Sequence, residues 1–249
     1  MTKEVRDWWE ATAEWFQEDI NLNAGVNWLG FGEGDLDLLG DVADTDILEL
    51  GCGGGQCTVA LAKRGGNVTG LDLSETQLEY ARRLADEHDA NVGFVQGDVT
   101  DLGMFPDESF DIVFNAWVFQ WVGDLAACFE ETNRILRPGG RFVFSMSHPV
   151  YELADSESHR VTESYFDTGR HEISHEDMDV DQVVFRHSIS DIYNALVNAG
   201  FRVERMHEPG TADPSDYEEG PWGEYTPELM SKLPAVLVFE ARPHLTGTC

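Results

Sequence analysis

The sequence predicts an α/β fold: a parallel sheet with helices on both faces. Three observations carry this. From about residue 46 onward, short apolar runs alternate with segments of helical period; the first run ends in a glycine-rich turn; the next two end in aspartates. With 249 residues and 42% hydrophobic composition, the chain can bury one substantial core, and one domain spanning 1–249 is expected.

Residues 5–20 carry Trp8, Trp9, Ala11, Trp15, Phe16 and Ile20 at mixed helical spacing, which predicts an amphipathic helix whose aromatics serve as core or lid. After a Gly- and Asp-rich stretch at 30–46, Ile47-Leu48-Glu49-Leu50 forms a short buried strand ending in Gly51-Cys52-Gly53-Gly54-Gly55, with a helix over 56–64. A second strand, 67–71, ends at Asp72. Ser74-Glu75-Thr76-Gln77 then fits a capping box, opening a helix with Leu78, Ala81, Leu84 and Ala85 on its apolar face. Strands follow at 92–96, near Asp98, and at 110–115. A helix over 124–136 is closed by an Arg137-Pro138-Gly139-Gly140 turn before a fifth strand at 141–147. The rhythm then breaks for about 35 residues, longer than the usual connection. It resumes with a helix at 190–199 and a strand at 201–206. A loop holding Pro209, Pro214, Pro221, Pro227 and Pro234 leads to a last strand at 235–241.

Composition narrows the function. The formal charge is −31, with 47 acids against 16 basic residues spread along the whole chain. Self-repulsion of that size suits a medium of molar salt, where screening acts within roughly 3 Å, so the charge reads as halophilic adaptation rather than as a site. It argues against nucleic acid, since no basic cluster is available to neutralise phosphates. The apolar runs fall short of the roughly 20 residues of a membrane span, and the amino terminus lacks a signal-peptide pattern; no membrane partner and a cytoplasmic location are expected. Cys52, Cys57, Cys128 and Cys249 form no Cys-x-x-Cys pair and read as reduced and structural. His171 and His175 could pair on a metal only if their segment were helical, and no cysteine lies there to complete a zinc set; no metal is expected.

A glycine-rich turn between strand and helix lets a ligand approach the backbone, though alone it is a weak signal. Gln56 stands where the dinucleotide fingerprint asks for a small residue, which disfavours a nicotinamide or flavin enzyme. Asp72, 21 residues beyond Gly51, is placed to accept both hydroxyl protons of an adenosine ribose. Asp98 ends the third strand on the same edge, where it could accept from an adenine amine. Either acid alone could be a solvated loop residue; their joint placement at successive strand ends favours a ligand.

With Leu48-Glu49-Leu50-Gly51-Cys52-Gly53-Gly54-Gly55, Gly70-Leu71-Asp72-Leu73-Ser74, Gly97-Asp98-Val99, Phe110-Asp111-Ile112-Val113 and Leu136-Arg137-Pro138-Gly139-Gly140, the chain resembles the class I S-adenosylmethionine-dependent methyltransferases over about 45–150. The resemblance implies a Rossmann-like sheet of seven strands, mostly parallel with the last antiparallel. It divides the chain into a helical cap (1–44), a cofactor-binding core (45–149), an inserted acceptor-side segment (150–187) and the C-terminal part of the sheet (188–249). It puts the methionine part of S-adenosylmethionine on the backbone around Gly51, Cys52 and Gly53, with Glu49 bracing the loop. Asp72 would hold the ribose and Leu73 would lie against the adenine, whose edge Asp98 and the Val99 backbone would read. Asn115 would face the methionine amino group, and Gln77 belongs to the same set.

The acceptor side carries no diagnostic motif. Its candidates are Trp15, Trp117, Trp121, His148, Tyr151 and Arg186. His148 could abstract a proton or simply order the turn at Pro149. Tyr151, with Tyr165 and Phe166, could line a pocket or anchor the segment. Arg186 and His187 could bind a carboxylate or form local pairs. Trp117, Phe119 and Trp121 could shield the cofactor cation or stack on an acceptor, with core the expectation for at least two. The long segment over the strand ends and the lack of a basic patch point to a small-molecule acceptor. The rivals are a non-catalytic S-adenosylmethionine-binding module and an NAD(P)-dependent oxidoreductase; no Tyr-x-x-x-Lys pair supports the latter.

Overall fold

A computed structural model of the chain describes residues 2–19, 25–26, 28, 36–175, 178–218 and 225–244. Ile20, residues 30–35, Pro221 and Cys249, all named above, lie outside the described residues. Helix α1 (Thr2–Asp19) precedes the alternating β1 (Asp46–Leu50), α2 (Gln56–Lys63), β2 (Asn67–Asp72), α3 (Glu75–Glu87), β3 (Gly93–Gln96), β4 (Phe110–Ala116), α4 (Leu125–Ile135) and β5 (Leu136–Ser147). Then come β6 (Gly169–Ile173), β7 (Gln182–Arg186), α5 (Ile189–Asn198), β8 (Phe201–His207), α6 (Pro227–Met230) and β9 (Val236–Pro243).

Seven strands form one sheet in the order β3-β2-β1-β4-β5-β9-β8. Pairings from β3 through β5 are parallel, and β9 runs antiparallel to both β5 and β8, so the last strand is the reversed one, as expected. Side chains alternate between two apolar layers, as strand geometry requires. Val113 joins Leu48, Leu50, Phe142 and Phe144 beneath α4 and α5, which contribute Phe129, Ile192 and Leu196. Ile112 and Phe114 join Ile47, Val143 and Val238 on the other face, beneath Cys57 and Leu61 of α2, Leu38, Leu39 and Leu229 of α6.

Local differences from the expectations have physical causes. The Arg137–Gly140 turn lies inside β5: Leu136 pairs with Phe110 and Arg141 with Ile112, so the intervening residues bulge out, with Gly139 at φ 83°. Only half of the capping box forms at α3. Ser74 Oγ accepts from the Gln77 N–H, but Gln77 Oε1 accepts from Gln17 of α1. The full box occurs at α5, between Ser188 and Asp191, one residue earlier than the expected start.

The 150–187 segment is not irregular throughout; β6 and β7 pair as an antiparallel hairpin. His171 lies in β6 and His175 just beyond it, so the helical premise for a metal pair fails. Val183 and Phe185 of β7 pack with Val5 and Trp9 of α1 and with Leu73 and Trp121. This joins α1 and the hairpin into a roof beside the carboxyl ends of β2 and β4. Among the described residues, no helix is long and apolar enough to cross a membrane.

Candidate cofactor site at the carboxyl ends of β1, β2 and β4

Beyond Leu50 the chain takes left-handed conformations at Gly51 (φ 70°), Gly53 (φ 49°) and Gly55 (φ 79°), which favour glycine. A Cβ at Gly51 would also overlap Val118 in the segment after β4. The N–H groups of Gly51 and Cys52 donate to Leu71 O at 2.7 and 2.9 Å, tying the loop to β2. Asp72 completes the corner: Oδ2 accepts from the Gly53 N–H at 2.8 Å and Oδ1 from the Ser74 N–H at 2.9 Å. Burial pushes its carboxyl up to about 6, outweighing those two donors, and the Glu10 carboxylate adds repulsion. Behind the loop, fully covered Glu49 accepts from the Thr58 hydroxyl in the first turn of α2, and burial raises its carboxyl to about 8. Gly55, the N-cap of α2, supplies no side-chain cap.

The remaining cofactor-side candidates gather at the same edge, several with their polar atoms engaged. Buried Asn115 donates from Nδ2 to Leu50 O at 2.8 Å and accepts at Oδ1 from the Val118 N–H at 3.3 Å, clamping the end of β1 to the turn after β4. Asp98 Oδ1 accepts from the Thr100 N–H and hydroxyl at 2.9 and 2.8 Å, a local turn. Val99 is buried in the core beside Leu71, Cys52 is buried, and Leu73 packs under the α1 roof.

The acceptor-side candidates do not form one cluster. Trp15 is 43% exposed on α1. Trp121 lies edge-to-face with Trp9, ring centres 4.8 Å apart. Trp117, held at φ 70°, an unusual conformation for a bulky residue, meets Tyr225 edge-to-face at 5.6 Å. Tyr225 in turn stacks on Tyr151 at 5.1 Å. Tyr151 and Tyr225 are buried, so Tyr151 anchors its segment. Buried His148 has both ring nitrogens engaged: Nδ1 accepts from the Val150 N–H at 3.1 Å and Nε2 lies 2.9 Å from Glu208 Oε1. These two contacts order the turn at Pro149, and burial lowers the basicity of the ring. Arg186 pairs with Glu163 at 3.1 Å, and His187 Nε2 lies 2.9 Å from Val122 O.

Two contributions from α1 escaped the sequence reading. The Glu10 carboxylate accepts from the N–H groups of Glu75 and Thr76 at 2.8 and 3.2 Å, capping α3, and from the Thr76 hydroxyl. Gln17 accepts at Oε1 from Gln56 Nε2 at 2.6 Å and donates from Nε2 to Gln77 Oε1 at 2.7 Å. Glu10 and Gln17 stand seven apart, two helical turns, on one face; that spacing of polar residues was the available signal.

The methyltransferase-domain family model matches residues 48–144. An uncharacterized methyltransferase of Bacillus subtilis, YbaJ, is 30% identical over 172 residues, 65% of this chain and 68% of its own length. A fatty-acid O-methyltransferase of Mycolicibacterium smegmatis is 38% identical over 119 residues, 47% of this chain; the match spans less than half of that relative, 42%. Among solved structures, an S-adenosylmethionine-dependent methyltransferase of Mesorhizobium loti superposes with a TM-score of 0.69 at 29% identity, over 83% of this chain and 94% of that one. The chain belongs to the class I S-adenosylmethionine-dependent methyltransferases, and its cofactor is S-adenosylmethionine.

Proposed function

We propose that the protein transfers the methyl group of S-adenosylmethionine to an oxygen of a small-molecule acceptor. The observation that carries the cofactor side is the bridge from Asp72 to Gly53: the β2 carboxylate and the backbone of the glycine loop meet at one corner. The residues fit the group. Left-handed glycines leave the loop without side chains toward it, and Gly55 at the N-cap of α2 adds none.

S-adenosylmethionine supplies, when bound, a methyl group on a cationic sulfur. In this reading Asp72 holds the ribose hydroxyls, Leu73 packs on the adenine, and Asp98 and the Val99 backbone meet its edge. Gly51, Cys52 and Gly53 seat the methionine part with Gln77 and Asn115, and Glu49 braces the loop from behind. The roof of α1 and the β6–β7 hairpin excludes water, and orientation supplies much of the rate. His148 keeps its proton work within the turn. This supports an acceptor oxygen that is already anionic near neutral pH, such as a carboxylate, and the name of the fatty-acid relative points to oxygen as the accepting atom. Half-buried Trp117, just after β4, offers an aromatic surface on that side.

Calorimetric titration in molar potassium chloride tests the reading. S-adenosylmethionine should bind saturably and NADH should not, and Asp72→Ala should weaken binding by about 1 to 3 kcal/mol, the scale of hydrogen bonds lost to a charged group. A panel of carboxylic acids should then yield S-adenosylhomocysteine. Binding of NADH alone would overturn the cofactor, and cofactor binding with no turnover on carboxylic or phenolic acceptors would overturn the transfer.

A further inference from the structure

We infer that Gln17 of α1, together with Gln56, forms part of the cofactor site and grips the amino-acid end of S-adenosylmethionine, so that α1 is a binding element and not only a packing one. This rests on the cofactor reading above and goes beyond it by assigning a residue, Gln17, from outside the family-matched segment, which begins at residue 48.

Three side-chain amides meet over the glycine loop. Gln17 is the middle one, 2.6 Å from Gln56 Nε2 through its oxygen and 2.7 Å from Gln77 Oε1 through its nitrogen. The loop lies directly beneath them. A Cβ at Gly53 would stand 3.8 Å from Gln77 Oε1 and 3.9 Å from Gln17 Nε2, and one at Gly54 would overlap the Gln17 amide. A ligand group resting on Gly53 therefore lies within contact distance of these side chains. The amino-acid end of the ligand carries a carboxylate and an ammonium group, and an amide offers both an N–H donor and a C=O acceptor. The surrounding charge favours neutral donors: the Asp72 carboxylate stands at this corner with Glu10 acting on it, and a ligand carboxylate would otherwise meet like charge. Gln17 is held where it is needed by α1, which is itself fixed by Glu10 capping α3.

The test compares two ligands by calorimetry on the full chain: S-adenosylhomocysteine, which has the amino-acid end, and 5′-methylthioadenosine, which lacks it. Gln17→Ala should weaken S-adenosylhomocysteine about tenfold, the loss of one hydrogen bond to a charged group, and leave methylthioadenosine within about twofold. Gln17→Glu should weaken S-adenosylhomocysteine further, by adding a carboxylate facing a carboxylate, again sparing methylthioadenosine. Equal weakening of both ligands would make Gln17 a structural brace of the loop, and tighter binding of both would make it a plug; either result overturns the assignment. If the unmodified protein binds neither ligand, the cofactor reading itself fails, an outcome distinct from either.

Discussion

Two corners of the same sheet edge are built in opposite ways. At the β1–β2 corner the backbone makes the site: three left-handed glycines, two N–H groups on Leu71 O, and one carboxylate bridging Gly53 and Ser74. At the β5–β9 corner side chains from distant stretches make the structure. His148 meets Glu208, Ser147 Oγ lies 3.1 Å from Tyr225 Oη, and Tyr225 stacks on Tyr151. A backbone-built site must place particular residue types a few positions apart, whereas a corner assembled from remote side chains can draw on any stretch that packs there.

Salt gives the largest expected effect and asks whether the two regions share one stability. Dilution from molar potassium chloride to tens of millimolar should remove much of a typical total of about 5–15 kcal/mol, given the −31 charge. Hydrogen exchange should show α1 and the β6–β7 hairpin opening before β1 and β4, because the roof rests on a small apolar cluster and exposed ion pairs such as Arg170–Glu4. A melting temperature independent of salt would break the halophilic reading, and simultaneous exchange would break the division into regions.

Acidity should separate the corners by sign. The Glu49 carboxyl is raised from its ordinary 4.5 to about 8, so the folded state holds a proton that the unfolded chain has lost. Its stabilising contribution is complete below pH 4.5 and disappears as pH rises through 8, on the order of 5 kcal/mol. Asp72, raised to about 6, adds a smaller slope of the same sign. His148 does the reverse: burial lowers it, so stability is lost as pH falls below its ordinary 6.5. Denaturation against pH should therefore flatten on the alkaline side in Glu49→Gln and on the acid side in His148→Gln.

Sterics supply the smaller test. Gly51→Ala should destabilise by about 3 kcal/mol, combining left-handed strain with the clash on Val118. Gly139→Ala, equally left-handed at φ 83° but with open space around it, should cost about 1 kcal/mol in the same urea titration. Equal costs would mean that the packing of Val118 against the loop is soft.

The same contrast explains how much could be read from the residues alone. The alternation of strands and helices from β1 to β5, the glycine-rich turn after β1 and the place of Asp72 at the end of β2 were legible, because local periodicity and a glycine run encode them. The β6–β7 hairpin was not. Arg170, His171, Glu172 and Arg186 are polar, and the half-buried alternation of β7 is only five residues long. Nor could the fate of His148 be read, since its partner Glu208 lies 60 residues away. For Gln77 the capping box hid its partner: the spacing fits Ser74, while tertiary contact with Gln17 wins the side chain.

The roof also imposes an order on biosynthesis. Helix α1 ends at Asp19, yet it leans on Val183 and Phe185, about 160 residues later in the chain. At about 5–20 residues per second, α1 waits roughly ten to thirty seconds on the ribosome before its seat exists. An 18-residue helix is only marginally stable alone, and this one carries Trp8 and Trp9. During that interval the nascent chain displays an aromatic, amphipathic segment that chaperones can cover.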